Sequence, residues 1–173
     1  MRLLALDFGA DTGWALWDDG VVSSGIWHLN KSSQSRFEGG GMKFVRFLRL
    51  LKELPVPDRV AFEEVRRHLG VNAAHAYGGY LSHLQSWCES NKSAIPYEGI
   101  PVATIKKRAT GKGNASKEEM IEAAQKLLKV NPGNDDEADA LWILLLLAEA
   151  EGLSWPGGPV QQLTFDKKSI KKK

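Results

Sequence analysis

The chain has 173 residues, 43% of them hydrophobic and 25% charged, with a net charge of +2. This length suits one domain with a sizeable core, and the balance is that of a globular protein rather than a disordered one. A single cysteine, Cys88, excludes a disulfide framework and a cysteine-based zinc site.

The first residues run straight into a charged turn with no secretory pattern, so a cytoplasmic setting is expected. No membrane association is expected either, because the most apolar run, Leu141 to Ala148, falls short of the roughly 20 residues that a span needs. Leu3 to Leu6 is a continuous apolar run and predicts a strand buried on both faces. Side chains alternate along it, so Leu3, Ala5 and Asp7 share one face and Leu4, Leu6 and Phe8 the other. Asp7 stands where this strand emerges, and an unpaired charge there costs several kcal/mol on the order of a desolvation penalty. Gly9 and Gly13 are expected to bracket a tight turn, with a second strand starting over Trp14 to Trp17. Asp18-Asp19-Gly20 is a hairpin signal leading into a third strand, Val21 to His28.

A helix is expected to start in the polar stretch Asn30 to Gln34 and to be weakened early by Gly39 to Gly41. Phe44, Val45, Phe47, Leu48 and Leu51 then recur at helical spacing until Pro55 and Pro57. Arg59 to Val65 predicts a fourth strand, which again runs from apolar residues into acids, Glu63 and Glu64. Arg66, Arg67 and His68 follow in an exposed connection. Val71 to Ser90 predicts a long helix in which Gly78 and Gly79 permit close packing, within the chain or across a dimer axis. A fifth strand over Ile95 to Ile100 and a short helix over Pro101 to Thr110 come next. Gly111 to Ala115 is a basic loop, and Ser116-Lys-Glu-Glu119 has capping-box spacing for a helix ending near Leu128. After the turn Asn131 to Asn134, the last helix spans Asp135 to about Ala150. Residues 1–152 read as the folded domain, and 153–173 as a lysine-rich tail with only Leu163 and Phe165 as apolar anchors.

Lys106, Lys107, Arg108, Lys112 and Lys117 form a run without acids, and Lys167, Lys168, Lys171, Lys172 and Lys173 crowd the tail. Both point to a polyanionic partner. Asp136 and Asp139 lie three apart on one helical face, and Asp135 and Asp139 four apart. The helix dipole accounts for an acid in the first turn, but not for Asp139 leading into Leu141 to Leu147. Asp7, Glu63 or Glu64, and Asp136 with Asp139 thus offer acids at the edges of three buried elements. Hard oxygen ligands without cysteine or paired histidine suit Mg2+ or Mn2+, and two such ions about 3.5–4 Å apart serve phosphodiester cleavage. His28, His68, His75 and His83 form no helical pair and no catalytic triad.

Four stretches in order, Leu6-Asp-Phe-Gly9 with Thr12-Gly-Trp-Ala15, Ala61-Phe-Glu-Glu-Val65, Ile105-Lys-Lys107 with Gly111 to Lys117, and Asp136-Glu-Ala-Asp-Ala-Leu141, resemble the RuvC family of Holliday-junction resolvases in the ribonuclease H-like superfamily. The resemblance implies an α/β fold, a ribonuclease H-like mixed five-stranded sheet flanked by helices. It implies a homodimer that resolves four-way junctions and other branched DNA by paired nicks. It implies Mg2+, two ions per site, held by Asp7, Glu63, Asp136 and Asp139, with Lys106 and Lys117 near the scissile phosphate. Arg66, Arg67, Lys107, Arg108 and Lys112 are the further DNA-contact candidates. Strand parity favours Glu63 over Glu64. Two departures stand out: the Asp7 to Gly13 turn is one residue shorter than in bacterial members, and Arg66 stands where they often carry a stacking aromatic. The small size and lysine tail resemble phage or virus versions, which implies a host cytoplasm. Two other readings compete. One is a small actin-like or sugar-kinase-like phosphotransferase, from Asp7-Phe-Gly9 followed by Thr12-Gly13. The other is a non-catalytic DNA-binding module of the same fold.

Overall fold

A computed structural model describes residues 1–30, 40–68 and 70–156. The expected helix start at Asn30 to Gln34 lies almost wholly outside these residues, as do Leu163, Phe165 and the tail lysines. Five strands form one sheet: β1 (Arg2–Asp7), β2 (Asp11–Asp18), β3 (Val21–His28), β4 (Arg59–Glu64) and β5 (Tyr97–Pro101), in the order β3-β2-β1-β4-β5. β1, β2 and β3 pair antiparallel, whereas β4 and β5 run parallel to β1. The β2–β3 turn is tight because Asp19 and Gly20 both take positive φ, 46° and 90°, as a two-residue hairpin of primed type requires.

The helices are α1 (Met42–Glu53), α2 (Val71–Ser90), α3 (Val102–Thr110), α4 (Lys117–Ala123) and α5 (Asp135–Ala150). A π-helical turn, Ala124–Leu128, continues α4. The expected capping box is present: the Glu119 backbone N–H donates to Ser116 Oγ, and Glu119 accepts from the Ser116 N–H. On α1, Phe47, Leu50 and Leu51 are buried while Val45, expected on the apolar stripe, faces outward. Among the described residues no helix is long and apolar enough to cross a membrane.

The sheet separates two cores. On one face Leu3, Ala5, Ala15 and Ala61 pack against α5 with Leu141, Trp142, Leu144 and Leu145. On the other, Leu4, Leu6, Trp14, Leu16 and Phe62 meet Phe47 and Leu51 of α1 and Tyr80 and Leu84 of α2. α5 is apolar all round because it lies between the sheet and α3–α4, the environment in which such a helix is stable. Gly79 serves packing within the chain: a Cβ there would meet the Phe44 ring at 2.3 Å, whereas Gly78 faces open space.

Candidate active site

The first difference from expectation sets the site. Gly13 is not part of a turn; β2 already begins at Asp11. Gly13 pairs with Asp7, and a Cβ on it would lie 1.9 Å from the Asp136 carbonyl oxygen and 2.3 Å from its carbon. A glycine inside a strand often marks such a close backbone approach. The first turn of α5 therefore rests directly on β2, beside the residue that pairs with Asp7.

The parallel pairing of β1 and β4 matches Ala5 with Ala61 and Leu6 with Phe62. It carries Asp7 and Glu63 to the same edge, on the α5 face. Their carboxyl groups are within hydrogen-bonding reach of each other. Burial, then the charges of Glu63, Asp139 and Asp136, hold the Asp7 carboxyl well above the usual carboxylate range. Burial likewise raises Glu63. Asp139 is pushed up to about 7, first by burial and then by Glu63. Asp136 is raised by burial and by Asp135, while Asn134 Nδ2 donates to its Oδ2 at 2.8 Å. The four acids thus lie in one another's field at one end of the sheet, and nearby positive charge only partly offsets their burial and repulsion. Glu64 points away and pairs with Arg66 at 3.0 Å.

Two lysines reach the cluster. Lys106 donates to the Ala115 carbonyl at 2.8 Å, and its charge favours ionised Glu63 and Asp139. Lys117 pairs with Asp135 and lies in the field of Asp136 and Asp139. The other basic candidates have different surroundings. Arg108 makes three hydrogen bonds to Glu149, at 3.2, 3.0 and 2.5 Å, about 15 Å along α5 from Asp139 at the helical rise. Lys107 lines a shallow depression with Ala103, Thr104 and Leu146. Lys112 pairs with Glu119 at 3.4 Å, and Arg66 and Arg67 are exposed beyond β4.

Three participants escaped the sequence reading. Glu137, in the same acidic run, is 5% exposed. It accepts from Ser24 Oγ at 2.6 Å and from the Gly133 N–H at 2.7 Å, while Asn134 caps its own N–H. It anchors α5 to β3. Asp11 adds to the negative field on Asp136 and pairs with His28 Nδ1 at 2.8 Å. Tyr77 donates to the Glu63 carbonyl at 2.9 Å and accepts from the Val65 N–H at 3.3 Å, which fixes the end of β4.

A cation fits this donor set. It is all oxygen, its acids are pushed toward the protonated form by one another, and the buried Asp139 Oδ1 has no hydrogen-bond partner. Such an orphaned acceptor is costly unless something positive meets it. Among the described residues, however, no three acidic, histidine or cysteine side chains stand close enough together as placed to hold a metal ion.

Among solved structures, RuvC from Thermus thermophilus in complex with a Holliday junction substrate superimposes with a TM-score of 0.64 at 22% identity, over 90% of this chain and 99% of that one. The fold is that of RuvC. A second Thermus thermophilus RuvC structure agrees, with a TM-score of 0.60 and the same identity and coverage. No protein-family model and no curated protein matches the sequence. At this identity the likeness to RuvC establishes the fold, the expected ribonuclease H-like mixed sheet, and function must be argued from the site.

Proposed function

We propose that the protein is a divalent-metal-dependent, structure-selective DNA endonuclease. It nicks four-way junctions and other branched DNA by phosphodiester hydrolysis, and it acts as a homodimer that cuts two strands. The observation that carries this reading is the convergence of Asp7, Glu63, Asp136 and Asp139 on one sheet edge, with Lys106 and Lys117 beside them. The RuvC fold, which covers nearly the whole chain, supports the choice of branched DNA.

Asp7, Glu63, Asp136 and Asp139 would hold Mg2+ or Mn2+, as two ions in one site. Bound there, the cations supply an activated water and stabilisation of the departing oxygen. The chain's own groups prepare the rest. Burial and the neighbouring acids hold the Asp7 carboxyl well above the usual carboxylate range, and a bound cation would favour its ionised form. Lys106 is fixed by the Ala115 carbonyl at the rim, where its ammonium faces charge developing on a phosphate oxygen. Lys117 can exchange Asp135 for a phosphate, since its side chain is 73% exposed. Phosphate contacts of this kind release counterions, so binding falls steeply with salt.

The test is nicking of a synthetic four-way junction with and without Mg2+. Asp139→Asn should lower nicking by a thousand-fold or more while junction binding persists. Its melting temperature without metal, at pH 8, should be no lower than that of the parent, since one of several repelling buried charges is gone. Nicking that survives Asp139→Asn, or needs no divalent ion, would remove the acids from the chemistry.

A further inference from the structure

Tyr77 of α2 stands between the two strand ends that carry Asp7 and Glu63. Its ring packs against Phe8, the residue after Asp7, with centroids 5.7 Å apart. On another side it meets His68, beyond the end of β4, at 4.9 Å. Its hydroxyl donates to the Glu63 carbonyl at 2.9 Å and accepts from the Val65 N–H at 3.3 Å. The ring is half-buried and lines a cleft of about 250 Å³ on the α1–α2 side of the sheet.

Packing alone asks for no hydroxyl at this position, but the backbone does. β1 pairs with β4 only as far as Leu6 with Phe62. On the other side the last register partner of β4 is Pro101, which has no N–H to give. Backbone groups that run out of ladder need other partners. The Tyr77 hydroxyl meets one on each side of Glu64, the carbonyl before it and the N–H after it. It therefore spans both peptide groups through which β4 ends.

We propose that Tyr77 is a positioning residue for the metal site, tying together the strand ends that present Asp7 and Glu63 to a divalent cation. The proposal rests on the metal-dependent reading above. The lever is short on both sides. The carbonyl that the hydroxyl holds belongs to Glu63 itself, and the ring that Tyr77 braces belongs to the residue bonded to Asp7. Packing against Phe8 and His68 locks the tyrosine in turn, the kind of support that keeps a site in its working geometry. Without the hydroxyl, the end of β4 would have to be ordered by the cation on binding, which lowers affinity.

The test is Tyr77→Phe in the full chain, which removes the hydroxyl and keeps the ring. Mn2+ affinity, read from the electron paramagnetic resonance signal of the free ion, should fall by about ten-fold or more, as for other outer contacts to metal ligands. Hydrogen exchange at the Val65 amide should quicken, while the amides of Leu4 and Leu6 keep their protection. In a Glu63→Gln background the same substitution should lower Mn2+ affinity little further, because a contact that acts through Glu63 has nothing left to position. A general loosening of the fold would lower affinity equally in both backgrounds, and that result overturns the proposal. Unchanged Mn2+ affinity or unchanged Val65 exchange in Tyr77→Phe overturns it too. Should Tyr77→Phe fail to fold, His68→Ala, which frees one side of the ring, must show the same dependence on Glu63. A parent protein that binds Mn2+ through Glu63 but nicks no branched DNA overturns the nuclease reading and leaves the role of Tyr77 standing. One that binds no Mn2+ overturns both.

Discussion

The two faces of the one sheet are built to opposite rules. Toward the acid end of the α5 face the strands present Ala5, Ala15 and Ala61, with the bulkier Leu3, Trp17 and Val22 farther from the acids, and the helix supplies the bulk. On the α1–α2 face the strands supply it themselves, with Leu4, Leu6, Trp14, Leu16 and Phe62. Small strand residues draw α5 close, until at Gly13 backbone meets backbone. Large ones hold α1 and α2 away and leave an open cleft among the rings. The close face ends in carboxylates and the spaced face in aromatics. Strand alternation alone puts the two chemistries back to back across two strand ends.

The sharpest way to break this contrast is Gly13→Ala. Its methyl group runs into the Asp136 carbonyl, a backbone atom that moves only if α5 moves. Overpacking of this kind costs about 1–3 kcal/mol. Nicking should fall by at least a hundred-fold because Asp136 and Asp139 shift with the helix; thermal melts and the junction assay check both. Wild-type stability together with full activity would mean that the close approach does not set the site.

Intermediate in size is a pH effect confined to the carboxylate face. Asp7, Glu63 and Asp139 all have carboxyls raised on folding, so the native state binds more protons than the unfolded chain. Stability of the metal-free protein is then greatest at acid pH. It is lost as pH rises from the ordinary carboxylate range, about 4, through the folded value of about 7 for Asp139. The loss should be on the order of a few kcal/mol, measured by urea unfolding across that window. Saturating Mg2+ should flatten the profile, because the cation takes the place of the protons. A flat profile without metal would show the acids to be better compensated than their burial implies.

The smallest effect belongs to the spaced face. Gly79→Ala also brings a methyl group to 2.3 Å from its neighbour, but that neighbour is the Phe44 ring, half-buried on α1. A ring can turn aside, and alanine in a helix interior gains about 0.5–1 kcal/mol over glycine. Stability should change by less than about 1 kcal/mol and nicking not at all. The same nominal clash at Gly13 and Gly79 thus gives opposite outcomes, decided by whether backbone or side chain must yield.

Much of this arrangement was legible in the residues. Apolar runs ending in Asp7 and in Glu63 located the strand ends. Parity chose Glu63, and the acidic start of α5 was visible before its helix was seen. These are local signals, set by period and capping. What escaped depended on contacts between distant segments. Gly13 looked like a turn because a close approach by another element leaves no trace beside the glycine. Glu137 sat unnoticed among its acidic neighbours, since only the placement of Ser24 across from it separates an anchor from a ligand. The ion pair of Arg108 with Glu149, on a different helix, was equally hidden, because the two lie far apart in the sequence. The structure also divided a basic run that appeared uniform: Lys106 and Lys117 lie at the acids, and Lys107 and Arg108 lie elsewhere.

The anchoring of α5 through Glu137 has a consequence in time. Asp7 and Glu63 come early in the chain, whereas Asp136 and Asp139 ride on α5, the last helix among the described residues, which Ser24 and Gly133 hold by its first turn. Under the nuclease reading proposed above, a chain in which α5 has not docked lacks Asp136 and Asp139 at the site and should not cut.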